Sequence, residues 1–302
     1  VRPGAQEGEP ESAPRPEPGH GAVAELRRYP VKSMLGESVL AADVGARGLP
    51  HDRELALVHR DTGKVASAKN PRMWRALLAL SAHATPAAVR ITLPDGKALW
   101  STDADVDDRL SELLARPVVL TGRPPTGAVL DRARPEEVLS DGVAAEVSVE
   151  VSTLGGAAPE GTFFDFAPLH LITTSTLRSI GASGPRGTVE VERYRPNIVV
   201  DTAGPGFVEN DWLGRDLRIG ERLTLRVIAR SPRCAIPTLE HGGLPRDTEA
   251  LRVPAARNRV IPLDGADPQP CAGVYAQVLR PGRIAVGDRL VVLPDSGRPE
   301  PA

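Results

Sequence analysis

The chain has 302 residues, room for one large or two ordinary domains, and 41% of them are hydrophobic. Aromatics make up only 3%, so Val, Leu, Ala and Ile must fill the core. The 37 Lys and Arg nearly cancel the 39 Asp and Glu, which argues against a generalised nucleic-acid or polyanion surface. Two cysteines, Cys234 and Cys271, do not make a disulfide framework and point to a cytoplasmic setting. No apolar run approaches the ~18 residues of a membrane helix, so no membrane span is expected.

Residues 1–21 are rich in Pro, Gly and Glu and lack the apolar stretch of a signal peptide. They are expected to be a disordered tail, as are 295–302. From Ala22 short apolar runs broken by Gly36, Gly45 and Gly48 predict short antiparallel strands with tight turns. Leu55–Val58 reads as a strand, Arg60–Lys64 as its hairpin turn and Val65–Ala68 as the returning strand. Residues 71–83 predict a helix, with Pro71 at its start and Met73, Trp74, Leu77, Leu78 and Leu80 on one broad side.

A hairpin about Pro94-Asp95-Gly96 follows, then a helix at 105–115 capped by Ser101 or Thr102, then a strand at Pro117–Leu120. This makes 22–120 a small β-dominated unit, with 121–142, punctuated by proline and glycine, as a linker or surface excursion. In 143–294 strands are expected at 143–151, 169–173, 194–200, 217–219, 223–229, 284–286 and 290–293. Thr174 or Ser175 is expected to cap a helix whose N-terminus could hold an anion. Helix and strand do not alternate regularly, and neither G-x-G-x-x-G nor G-x-x-x-x-G-K-[ST] occurs. The fold class is therefore mainly β with short helices, as two β-barrel-like units.

The chemistry concentrates between Arg193 and Leu239. Cys234 is flanked by Arg230, Ser231 and Arg233, with Pro232 and Pro237 stiffening its loop. Two readings stand: a small buried hydrophobe, or a thiolate ligand favoured by the nearby guanidiniums. With no C-x-x-C and no H-E-x-x-H, a metal held here must bring most of its own ligands. Lys32 and Ser33 follow Pro30 and Arg53 follows the Gly48–Asp52 turn. Each is either a surface group or a phosphate contact, and an ion pair with Asp52 or Glu54 would account for Arg53 otherwise. Alternation would put Arg195 and Asn197 on one face of a strand, as a cation beside an amide. Asn210 and Asp211 could rim a pocket, and His170 or His241 could approach Cys234 as a base.

These segments also resemble a known family. R-Y-R-P-N-I-V-V, D-W-L-G-R-D-L-R-I-G, S-P-R-C-A-I-P-T-L and G-V-Y-A-Q-V-L-R-P-G-R-I-A-V-G-D-R-L resemble the MOSC domain. R-R-Y-P-V-K-S-M-L-G-E-S-V-L and G-L-P-H-D-R-E-L-A-L-V resemble the β-barrel domain that precedes it. The layout is similar to the mitochondrial amidoxime-reducing component and its bacterial relatives.

The resemblance implies a MOSC N-terminal domain at 22–120 and a MOSC domain at 143–294. It also implies the molybdenum cofactor (Mo-molybdopterin), with Cys234 as catalytic metal ligand. Lys32, Ser33, Arg53, Thr174, Ser175, Arg195 and Asn197, with Arg230 and Ser231 of the cysteine loop, would hold the cofactor. The implied activity is reduction of N-hydroxylated compounds (amidoximes, hydroxylamines, N-hydroxylated bases) by oxygen-atom removal. A separate iron–sulfur, haem or flavin protein would supply electrons, and a monomer is the default. The alternative is a non-catalytic cofactor or sulfur carrier using Cys234. Two departures stand out: Ala235–Leu239 replaces a commoner ending in consecutive threonines, and Met34 stands where some relatives carry Cys.

Overall fold

The computed structural model describes residues 20–294. Its centre is a closed barrel of seven strands: β1 (His20–Arg28), β2 (Leu169–Thr173), β3 (Ile198–Asp201), β4 (Asp216–Ile219), β5 (Leu223–Pro232), β6 (Gln269–Arg280) and β7 (Arg289–Val292). The order around the barrel is β2-β3-β1-β7-β4-β5-β6, and pairing of β6 with β2 closes the ring. Only β2 and β3 run parallel. The inner face is aliphatic, as the composition requires: Val23, Leu26, Leu171, Ile198, Val200, Leu217, Leu225, Val227, Val274 and Leu290 form one buried cluster. Along β5 every second side chain is buried, the period of a pleated strand with one face on a core.

The N-terminal β-barrel-like domain surrounds a second cluster that includes Val31, Leu57, Leu77, Leu80, Ile91, Leu99, Leu110 and Val118. Ala56–His59 pairs with Val118–Thr121, Ser81–Ala84 with Val89–Thr92, and Val89–Thr92 with Ala98–Trp100. The helix α1 (Val106–Leu114) covers one side with Val106, Leu110 and Leu114.

The two bodies are interleaved in the chain. β1, expected to open the first unit, is instead a barrel stave between β3 and β7. Gly282–Ala285 crosses back to pair with Ala41–Val44 of the first body. Of the expected tails, His20 and Gly21 belong to β1, while 1–19 and 295–302 lie outside the described residues.

Several local expectations are corrected by non-local pairing. The helix expected at 71–83 is one turn, Pro71–Trp74, and a 3₁₀ segment, Arg75–Ala79, after which Leu80 turns extended and Ser81–Ala84 joins a sheet. Leu77, Leu78 and Leu80 are all buried, so their apolar run records a core crossing and not one helical face. Val65 makes only an isolated bridge to Val58, because Ala56–His59 finds its strand partner at Val118–Thr121. Ser101 does not cap α1; its hydroxyl accepts from the Val89 N–H at 3.0 Å. The excursion at 121–142 is ordered: Val129–Ala133 pairs with Val149–Thr153, and Pro135–Asp141 is helical. The strand expected at 143–151 begins only at Val149.

Candidate functional site

A cavity of about 240 Å³ opens between the two bodies. It is lined by Lys32, Ser33, Arg53 and Lys69 from the first body and by Tyr194, Arg195, Asn197, Arg230, Arg233 and Cys234 from the second. Its walls also include Arg132, Asp165, His170, Arg193 and Tyr275. Eight cationic side chains thus face one carboxylate, in a chain whose overall charge is nearly balanced.

The backbone is strained where it meets this space. Ser33, Arg53 and Arg195 adopt left-handed φ values of 65°, 52° and 55°, unusual for residues with a Cβ. A buried carboxylate, Asp52, ties two of them together. Its Oδ1 accepts from the Tyr29 N–H at 2.7 Å, and its Oδ2 accepts from Asn197 Nδ2 at 2.8 Å and from Arg53 Nη1 at 2.5 Å. Arg53 Nη2 then donates to the Arg195 carbonyl at 3.1 Å. The Asp52 ion pair that could have explained Arg53 away therefore exists, yet Arg53 still faces the cavity. Burial works against the Arg53 charge, but Asp52 outweighs it and raises its pKa.

Arg195 and Arg53 lie over the Tyr29 ring, with guanidinium carbons 4.3 and 4.7 Å from its centroid. Arg195 is only 8% exposed, and neither Nη1 nor Nη2 has a hydrogen-bond partner among the described residues. Burial, and then Arg53 beside it, lowers its pKa to about 10. Arg195 and Asn197 do not share a strand face, since Arg195 is left-handed and β3 starts only at Ile198. The Asn197 amide is committed within the protein: its Nδ2 serves Asp52, and its Oδ1 accepts from the His170 N–H at 3.1 Å.

Lys32 donates to the Phe163 carbonyl at 2.8 Å and to Asp165 Oδ1 at 2.6 Å, while Lys69 reaches the same Oδ1 at 3.1 Å. Burial brings Lys32 down to about 8 despite Asp165. For Lys69 burial opposes the charge, but Asp165 and then Cys234 hold its pKa above the usual value. Burial penalises the Asp165 anion, and the two lysines outweigh it and keep the carboxyl well below its usual range.

Cys234 is half-buried and free, packed in part against Ala68, Leu78, Ile236 and Leu239. Two guanidiniums brace its loop. Arg233 donates to the Ala272 carbonyl (Nε, 2.8 Å) and the Tyr194 carbonyl (3.1 Å), and Arg193 donates to the Leu239 carbonyl (3.0 Å) and the Pro245 carbonyl (2.7 Å). Arg230 is likewise bound to the carbonyls of Ile261 and Asn210. The basic residues flanking the cysteine in sequence are thus bound to backbone carbonyls, and Lys69 is a cavity cation whose charge Asp165 and then Cys234 favour.

Three expected site residues lie elsewhere. Ser231 is fully buried, and its hydroxyl accepts from Arg233 at 2.7 Å. Thr174 donates to Asp201 at 2.7 Å, and Ser175 bonds to Thr202 and the Gly204 carbonyl. The helix α2 (Thr174–Ser183) is capped by Thr173, whose hydroxyl accepts from the Thr176 N–H at 3.1 Å. The fully buried Glu209 already occupies this end, accepting from Thr173, Thr176 and the Gly273 N–H. The anion expected there is the chain's own carboxylate. Asn210 turns its amide to Asn258 at 2.7 Å, and neither it nor Asp211 lines the cavity.

Of the two histidines, only His170 reaches the cavity. Its Nε2 accepts from Arg233 Nη2, and it packs against Gly273, whose φ of 82° and lack of a Cβ permit the contact. Burial, then Arg233, pushes its pKa well below the usual value. His241 is buried with Nδ1 2.9 Å from the Leu239 carbonyl, and burial lowers it to about 4.

Both histidines are neutral when folded, whereas the unfolded chain takes up protons below pH ~6.5. Stability from this source is complete above pH 6.5 and is lost as pH falls toward 4. We expect His241 alone to account for a loss of about 2 kcal/mol at pH 5, with His170 adding in the same direction, measured by urea denaturation. A flat profile from pH 7.5 to 5 contradicts the buried neutral state.

Among the described residues no group of three or more His, Cys, Asp or Glu side chains could hold a metal. No helix among them is long and apolar enough to cross a membrane.

A MOSC domain model matches residues 159–291, and a model of the MOSC N-terminal beta barrel domain matches residues 20–127. Among solved structures, the YuaD protein from Bacillus subtilis is 10% identical, covering 90% of this chain and 95% of that one with a TM-score of 0.42. YiiM from Geobacillus stearothermophilus is 16% identical, covering 42% of this chain and 54% of that one with a TM-score of 0.30. No curated protein matches the chain significantly. With the two family models together spanning most of the chain, and a closed seven-stranded barrel behind a barrel-like N-terminal body, the chain belongs to the MOSC family, as a MOSC domain joined to a MOSC N-terminal β-barrel domain.

Proposed function

We propose that the cavity binds the molybdenum cofactor and that the protein is an N-oxygenate reductase, removing oxygen from N-hydroxylated compounds such as amidoximes and hydroxylamines. One juxtaposition carries this reading: the half-buried Cys234 shares a cavity with Arg195, a buried guanidinium whose terminal nitrogens lack any partner among the described residues. An orphaned buried cation calls for an anion, and a protein with one soft ligand and no metal cage suits a metal that arrives with its own ligands. The donor set therefore fits the group.

Arg195 from the second body and Arg53 from the first, braced by Tyr29 and Asp52, would hold the phosphate, with Lys32 also contributing from the first body. Cys234 would supply the thiolate, its loop kept rigid by Arg193 and Arg233. Asn197 acts by position, as its amide donors are spent on the protein, and Arg230 has both terminal nitrogens bound to backbone carbonyls. When bound, the cofactor supplies the two-electron chemistry that converts N–OH and two protons to N–H and water. Lys32 Nζ holds a proton shared with Asp165, one that burial loosens to about 8. A separate electron-transfer protein would return the electrons.

The test is to purify the chain from a host that makes the cofactor. We expect about one molybdenum per chain and reduction of benzamidoxime with a reduced-dye donor. Protein free of molybdenum, and unable to take up added cofactor, overturns the reading. Molybdenum without turnover selects the carrier alternative.

A further inference from the structure

Most cations of the cavity wall are already committed. Lys32 and Lys69 share Asp165, Arg53 pairs with Asp52, and the arginines at 193, 230 and 233 bind backbone carbonyls. Two guanidiniums are left over. One is Arg195, deep beside Tyr29. The other is Arg132, half-buried on the Val129–Ala133 strand, with no hydrogen bond or ion pair among the described residues. Its cross-strand neighbour Glu150 turns instead to Arg134 at 3.3 Å.

The two free guanidiniums reach the cavity from different elements, Arg132 from Val129–Ala133 and Arg195 from the residues just before β3. Arg195 stacks on Tyr29 beside Arg53, in the group assigned above to a phosphate. Arg132 feels Lys69, which in turn feels Cys234 and Asp165. It comes from the excursion between the two bodies, and Ser152 of the paired strand lines the cavity with it. With Arg195 and Arg53 assigned to a phosphate, Arg132 is the cavity cation left with neither a partner among the described residues nor an assigned anion.

We propose that Arg132 is a specificity residue that receives a carboxylate on the substrate, so that the preferred substrate is an anionic N-hydroxylated compound. This rests on the reductase reading. A planar guanidinium with no competing acceptor presents paired N–H donors matched to a carboxylate. Lys69, sharing its single counter-ion with Lys32, adds positive potential on the same side.

The test compares benzamidoxime with 4-carboxybenzamidoxime on the cofactor-loaded protein and on Arg132→Gln. We expect wild type to favour the carboxylate by kcat/KM, and the variant to lose about tenfold of that preference, chiefly through KM. Calorimetric binding of the two compounds, which needs no turnover, should show the same tenfold change. An unchanged ratio in both measurements overturns the proposal. So does a fall in molybdenum content in the variant with equal loss on both compounds, which would give Arg132 to the cofactor. Failure of turnover with the binding difference intact would instead count against the reductase reading alone.

Discussion

Cys234→Ser is expected to lose bound molybdenum and to lower amidoxime reduction by on the order of a thousandfold or more, about 4 kcal/mol in the barrier. A serine hydroxyl at neutral pH is neither ionised nor soft, so it cannot replace a thiolate toward a thiophilic metal. The substitution should leave the fold intact, because Cys234 is half-buried and packs only the edge of a small cluster around Ala68 and Leu78. Its stability change should stay within about 1 kcal/mol. Cys271 provides the contrast. It is fully buried, burial pushes its thiol up to about 11, and it does not line the cavity. Cys271→Ser should therefore keep its molybdenum, whatever it loses in stability. Elemental analysis and turnover on the two variants decide the matter, and equal molybdenum in Cys234→Ser and wild type would remove the cysteine from the metal.

What could be read from the sequence was the chemistry that lies close together in the chain, and the β class that follows from many short apolar runs. The cavity does gather Cys234, Lys32, Ser33, Arg53, Arg195, Asn197 and Arg230. Their roles were less legible, because role depends on partners far away in sequence. Arg230 and Arg233 looked like activators of the thiol and are consumed by carbonyls of Ile261, Asn210, Ala272 and Tyr194. Lys69 and Asp165 were missed, since the contact between them spans almost a hundred positions. A faint signal existed: Lys69 is one of four lysines in an arginine-rich chain.

The longest strand among the described residues, β6, is hard to read locally, although Val274, Ala276 and Val278 alternate along it. Its glycine and the Pro-rich stretch before it masked the period. Thr174 and Ser175 failed for a different reason. The helix is capped one residue before the expected positions, at Thr173, and nothing local reveals that Glu209, more than thirty residues on, fills its start. β1 could not be placed by pattern at all, because a stave at one end of the chain and its neighbours at the other share no local signal.

Arg195→Met should change stability in opposite directions with and without cofactor. In the empty protein, Arg195 is a buried cation whose terminal nitrogens bond to nothing among the described residues, and folding lowers its pKa to about 10. That depression corresponds to roughly 3 kcal/mol of penalty on the charged form. Stacking on Tyr29 returns about 1–2 kcal/mol, and Met recovers some of the same packing. The left-handed backbone at this position is common to both side chains and cancels. The empty variant should thus be more stable than wild type by about 1–2 kcal/mol, as found where buried charges give way to apolar side chains.

If the cofactor binds as proposed, the same guanidinium faces a phosphate in the loaded protein, and removing one partner of a buried charge pair costs about 2–5 kcal/mol of binding. Cofactor retention should therefore fall by on the order of a hundredfold, and with it the stabilisation that a bound ligand confers. Melting curves of empty and loaded protein should cross between variant and wild type. Arg195→Lys restores the charge but not the fork, so it should recover only part of the retention. If the empty variant melts lower than wild type, Arg195 already has its partner within the protein. The cavity would then have no vacancy for a phosphate, and the case for a phosphorylated guest would fail at its deepest residue.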